Sequence, residues 1–79
     1  MDREQERFFR KVGAEIRKLR LAKNMTLEDM QDHSFSAQHF QKIEAGKKAI
    51  NFYTICRIAS AFGISLTDLA KRIEKGLST

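Results

Sequence analysis

Proline is absent from the 79 residues, and glycine occurs four times, at positions 13, 46, 63 and 76. Strand patterning is missing as well. Nowhere do apolar and polar residues alternate over five or six positions, whereas helical spacing recurs throughout, which excludes a sheet-based architecture and leaves an all-α one. Cys56 is the single cysteine, so no intrachain disulfide can form; near Ile55 and Ile58 it is expected to be a small buried hydrophobe in a reducing cytoplasm. Histidine is scarce too. His33 and His39 lie a turn apart with no acid pair sharing a helix face with either, and Cys56 has no base nearby in sequence. Neither catalysis nor a metal, cofactor or small-molecule ligand is therefore expected. The longest uncharged run, Ile58 to Thr67, is far too short to span a bilayer, and Met-Asp-Arg-Glu-Gln-Glu-Arg at the start is charged where a signal peptide is apolar. A soluble cytoplasmic chain with no membrane partner is the expectation.

Acid is in deficit. Against 15 Lys+Arg stand 10 Asp+Glu, giving a net charge of +5 and favouring a polyanionic partner. The excess is uneven: residues 1–23 carry eight basic and four acidic side chains, residues 24–35 three acids and no base, and residues 36–48 three bases and one acid. Seventy-nine residues bury only somewhat over ~60% of their unfolded surface, which leaves room for one core, so a single domain over 1–79 is expected.

Five helices are expected. Asp2 caps the first, which runs to about Lys23 with Phe9, Val12, Ile16 and Leu19 as its apolar stripe. Gly13 inside it costs about 1 kcal/mol against alanine and suggests that another backbone approaches there. Thr26 with Asp29 forms a capping-box signature, starting a short second helix at Leu27 that ends near His33. Asn51 caps a fourth helix with Phe52, Ile55, Ile58, Ala59 and Phe62 as its buried stripe, stopped by Gly63. Ser65 with Asp68 caps a fifth, lined by Leu66, Leu69, Ala70, Ile73 and Leu77 and stopped by Gly76.

The third helix is the most informative segment. Ser36 is its N-cap and Gly46 its stop, so it runs from about Ala37 to Ala45. At roughly 100° per residue, Phe40 and Ile43 share one side. Gln38 and Lys42 fall almost opposite, with Ala45 close by and His39 and Gln41 on the flanks. Such a face carries amide and cationic donors and no acid. It suits a helix lying in the major groove of DNA, where Gln pairs with an adenine edge and Lys with guanine acceptors.

Four motifs in order carry a family resemblance over about residues 12 to 70: Val12-x3-Ile16-Arg17-x-Leu19-Arg20, Met25-Thr26-x-Glu28-x-Met30, Ser36-x3-Phe40-x2-Ile43-Glu44-x-Gly46-Lys47, and Ile58-Ala59-x-Ala61-Phe62-Gly63-Ile64-Ser65-Leu66-x-Asp68-Leu69. Together they resemble the phage-repressor (XRE) helix-turn-helix family. The resemblance implies a compact five-helix, lambda-repressor-like DNA-binding domain, with the helix-turn-helix at about 26–45 and the recognition helix at about 37–45. It implies base readout by Ala37, Gln38 and Lys42, Ala37 offering a methyl to thymine. Thr26, Ser36, His39, Gln41, Lys47 and Lys48 are implied contacts to the DNA backbone, which position without specifying. Arg20 and Glu44 match a salt bridge joining the first and third helices, in which a bidentate guanidinium braces the recognition helix and leaves an N–H for phosphate.

The chain departs from the family pattern in two respects. From Thr26 to Glu44 it is one residue shorter, and Ser34 stands near the usual turn glycine. Serine tolerates positive φ less well, so a differently built turn is expected, with Leu27 buried beside Met30 and Phe35 filling the gap. Gln31 also stands where the family has a small residue at the helix crossing, and Leu27 replaces a glutamine that often touches DNA.

A stand-alone domain of this kind implies a homodimeric transcriptional regulator on a palindromic operator, its half-sites about 34 Å apart. Leu69, Ile73 and Leu77, with Phe52 or Phe8, are the expected interface residues, since the chain has more large apolar side chains than one small core requires. The alternative from another class is a helical protein-interaction module with little or no specific DNA binding.

Overall fold

The computed structural model describes residues 1–78; the last residue of the expected 1–79 unit lies outside them. Five helices follow one another: α1 (Arg3–Ala22), a 3₁₀ helix (Glu28–His33), α2 (Ala37–Glu44), α3 (Phe52–Ala61) and α4 (Leu66–Leu77). No strand occurs among the described residues. Each α-helix opens on a short polar side chain that accepts an orphan N–H of the first turn: Asp2 from Gln5, Ser36 from His39, Asn51 from Thr54 and Ser65 from Asp68.

One cluster of buried side chains ties the elements together. Val12, Ile16 and Leu19 from α1 meet Met30, Phe35, Phe40, Ile43, Ile58, Phe62 and Leu69. Phe40 touches Phe62 edge-on, with ring centroids 6.3 Å apart. α1 packs against both α2 and α4, so the longest helix is the spine on which α2 is mounted.

Gly13 makes that mounting close. A Cβ there would fall on the carbonyl oxygens of Ile43 and Glu44, so the end of α2 lies directly on the α1 backbone. Gly46, at φ +74°, turns the chain away at the end of α2, and a Cβ on it would press on the backbone of Phe9 and Arg10. The expected close approach at Gly13 is thus the contact that seats α2.

Several expectations need correction. Gly76 does not stop the last helix; it lies inside α4, where a Cβ would meet the Glu15 side chain, so α4 passes close over α1. Phe52, expected in the buried stripe of α3, is 71% exposed, because the first turn of α3 overhangs the core. Phe9 and Cys56 are half-buried, and of the α4 stripe Leu69 is buried while Ala70 is exposed.

The second helix is 3₁₀, not α. A 3₁₀ helix rises about 2.0 Å per residue against about 1.5 Å for an α-helix. Six residues therefore span about 12 Å, the length of about eight α-helical residues. Tighter winding lets a shortened segment cover the distance. The capping box forms as read: Thr26 N–H donates to Asp29 Oδ2 at 2.7 Å, and Asp29 N–H to Thr26 Oγ1 at 3.1 Å.

The turn after it keeps the left-handed residue that Ser34 was expected to avoid: Ser34 sits at φ +68°. Ser34 N–H donates to the Gln31 carbonyl and Phe35 N–H to that of Met30, both at 3.1 Å, the paired bonds of a Schellman ending. Asn24, Gly46 and Gly63 end three other helices with positive φ, so Ser34 conforms to the pattern of the whole chain. Leu27 is half-buried against the core and Phe35 is buried at 2% exposure, which fills the space beneath the turn. The left-handed conformation costs a residue with a Cβ roughly 1–2 kcal/mol. Ser34→Gly is therefore expected to stabilise the fold by about 1 kcal/mol, raising Tm by about 4–8 °C in a thermal melt.

Candidate nucleic-acid interface

α2 exists because Ser36 starts it, Gly46 ends it, and Phe40 and Ile43 drive one side into the core at 0% and 1% exposure. The remaining side is thereby fixed outward. Gln38, Gln41 and Lys42 are exposed and, with Ala45 and Lys47, line one shallow depression on the surface. No acid lies in the first turn of α2, and its one acid, Glu44, is turned inward. The surface offers amide and ammonium donors at a spacing of one helical turn. That is a donor set for acceptor-rich base edges and phosphates.

The other residues read from the sequence fall around this face. Ala37 is half-buried at the start of α2, while Ser36, Thr26, Lys47 and Lys48 are exposed. Ser36 Oγ already accepts the His39 N–H at 3.0 Å, so its capping role is occupied. His39 is half-buried and lies parallel to the Phe35 ring, with centroids 6.2 Å apart and planes at 13°. Its ring is thereby tied to the turn as well as offered to solvent.

Arg20 and Glu44 lie behind the face, at 6% and 8% exposure. Arg20 Nε donates to Glu44 Oε2 at 2.7 Å and Nη2 to Oε1 at 3.2 Å, a side-on bidentate pair. Nη1 donates to the Met25 carbonyl at 2.7 Å, linking the end of α1 to the start of the helix-turn-helix. Three of the five guanidinium N–H groups are thus used within the protein, one on each nitrogen. Arg20 thereby ties α1 to the end of α2 from behind the polar face.

Arg57 on α3 was missed in the sequence. Its Nη2 donates to the carbonyls of Ser34 at 2.8 Å and His33 at 3.3 Å, and its guanidinium stands 4.2 Å from the Phe35 ring centroid. The only available signal was one cation in the otherwise uncharged run Phe52–Ala61. Among the described residues, no group of three or more His, Cys, Asp or Glu is placed to hold a metal ion, and no helix is long and apolar enough to cross a membrane.

A second surface is apolar. Phe8, Ile50, Phe52, Ile55, Ile73 and Leu77 line a groove between α1, α3 and α4 that shares no residue with the depression on α2. Leu69, expected at an interface, is 1% exposed within its own core and contributes nothing to this groove.

Comparison with known proteins gives one finding. A family model described as helix-turn-helix matches residues 16–69, from the last third of α1 to the first turn of α4. No curated protein and no solved structure matches the chain.

Proposed function

Because the chain belongs to the phage-repressor (XRE) type of the helix-turn-helix family, we propose that it is a transcriptional regulator. In this reading it binds double-stranded DNA by sequence, with α2 in the major groove, and carries no catalytic role. The observation that carries the reading is the outward face of α2: Gln38, Gln41 and Lys42 share one acid-free depression with Lys47, while the opposite side is locked into the core. Gln38 and Lys42 read base edges, with Ala37 beside them. Thr26, Ser36, His39, Gln41, Lys47 and Lys48 lie toward phosphates and fix the register.

The test compares two substitutions on one bound duplex. Gln38→Ala is expected to cost about 1–3 kcal/mol at a single base position and to relax preference there. Lys48→Ala is expected to weaken binding to all sequences about equally and to lower the salt slope by about 1. Equal, sequence-independent losses for both would remove Gln38 from base readout.

The reading includes a homodimer on a two-fold operator in the cytoplasm. Support comes from the groove between α1, α3 and α4, whose lining is mostly apolar and whose rim carries Phe52 at 71% and Phe8 at 46% exposure, two large rings that a second copy would cover. Phe52, Ile73 and Leu77 supply the contact, and the buried Leu69 takes no part in it. Sedimentation at micromolar concentration is expected to give a dimer, and Phe52→Glu a monomer with weakened operator binding. A wild-type monomer under those conditions would remove the dimer.

The same groove favours one second reading, a protein-interaction module that docks a partner there. Salt separates the two. Affinity for an operator falls steeply between ~50 and ~200 mM salt as phosphates exchange counterions, whereas apolar docking hardly changes.

A further inference from the structure

α2 is held at both ends by an arginine from another helix. Arg20 of α1 holds its C-terminal end through Glu44, and Arg57 of α3 reaches the turn that precedes its N-terminal end. The second attachment is specific to how this chain makes its turn. Ser34 occupies the left-handed region at φ +68°, where its Cβ is a steric cost that glycine avoids. The carbonyls of His33 and Ser34 emerge at the end of the 3₁₀ helix, where the helix offers them no N–H partner. Arg57 Nη2 donates to both. Its guanidinium also covers the ring of Phe35, and Phe35 immediately precedes the Ser36 cap of α2 and meets Phe40 edge-on at 5.2 Å. Tyr53, one turn earlier on α3, lies 5.7 Å from the same guanidinium.

We infer that Arg57 is the positioning residue of the reading helix: it holds the glycine-free turn at Ser34 and Phe35, and so fixes where the first turn of α2, with Ala37 and Gln38, is presented. Arginine suits this role because one terminal nitrogen donates to both carbonyls while the planar guanidinium lies over the Phe35 ring; a lysine ammonium can donate to a carbonyl but has no plane to lay on the ring. The inference about the turn stands on the geometry, and its consequence for base discrimination rests on the DNA-reading proposal above.

The experiment is a double-mutant cycle of wild type, Arg57→Met, Ser34→Gly and the double variant, with Arg57→Lys beside it. Two readouts are taken: amide hydrogen exchange of the α2 residues, and the ratio of affinities for a selected duplex and one carrying a substitution at the Gln38 contact. Arg57→Met is expected to raise α2 exchange and to lower the affinity ratio, each about tenfold, the equivalent of about 1.4 kcal/mol. The salt slope should stay unchanged, because Arg57 does not touch phosphate. With Ser34→Gly present the turn is no longer strained, so the same substitution is expected to cost at most about threefold, leaving a coupling of the size that adjoining residues show. Arg57→Lys should behave like Arg57→Met. Equal losses in both backgrounds would reduce Arg57 to ordinary packing on Phe35 and overturn the inference. So would no change in exchange, or full rescue by lysine with a salt slope lowered in Arg57→Met, which would make Arg57 a phosphate contact. If the wild type shows no base discrimination at all, the DNA reading fails, while the exchange cycle still decides whether Arg57 holds the turn.

Discussion

Arg20→Ala is expected to remove about 3–5 kcal/mol of stability, because the substitution leaves the Glu44 carboxylate enclosed without its partner. At 8% exposure that carboxylate has little water to replace the two guanidinium hydrogen bonds it loses. A chain of this length has about 4–12 kcal/mol of stability in total, so the variant sits near the edge of folding. The Met25 carbonyl loses its donor as well, which loosens the entry to the helix-turn-helix. The companion variant Arg20→Met/Glu44→Leu removes both charges and fills similar volume, and it is expected to recover most of the loss, since a buried ion pair contributes little beyond well-packed apolar side chains. Urea unfolding of the three proteins measures this. A single variant that unfolds at the wild-type midpoint, or a double variant no better than the single, would contradict the role given to the pair.

Gly13→Ala tests the mounting of α2 by its sign. Helix propensity alone says that alanine in the middle of α1 stabilises by about 1 kcal/mol. The structure says the reverse: the added Cβ meets main-chain carbonyls of Ile43 and Glu44, and main chain cannot swing aside as a side chain would. Overpacking of this kind costs typically about 1–3 kcal/mol, and contact with backbone on two residues places it at the upper end. Gly13→Ala is therefore expected to destabilise by about 2 kcal/mol net and to displace α2 from α1. A rise in the denaturation midpoint would mean that α2 is not seated as described.

Much of this fold was legible because its signals are local. A short polar residue ahead of an apolar-periodic run marked Asp2, Thr26, Ser36, Asn51 and Ser65, and the bonds they make reach three residues along the chain. The polar face of α2 was legible for the same reason, since Phe40 and Ile43 orient the helix and everything opposite follows. What escaped depends on partners distant in sequence. Gly76 reads locally as a stop, yet α4 continues through it where it passes Glu15 of α1. Ser34 reads locally as a poor left-handed residue, yet it takes that conformation with Arg57, 23 residues away, on its carbonyl. Propensity weighs a residue against its neighbours in sequence; the turn at Ser34 is decided by a neighbour in space. The 3₁₀ winding before it was hidden likewise, because the need for extra length appears only once both ends of the segment are anchored.

The most direct test of the account is selection of duplexes bound by the wild-type chain from a random DNA pool at physiological salt. The account predicts enrichment of one two-fold related sequence whose half-sites lie about 34 Å apart, one helical turn, as two copies of α2 in successive major grooves require. Recovery of no sequence above the starting pool would contradict the claim that the outward face of α2 reads DNA.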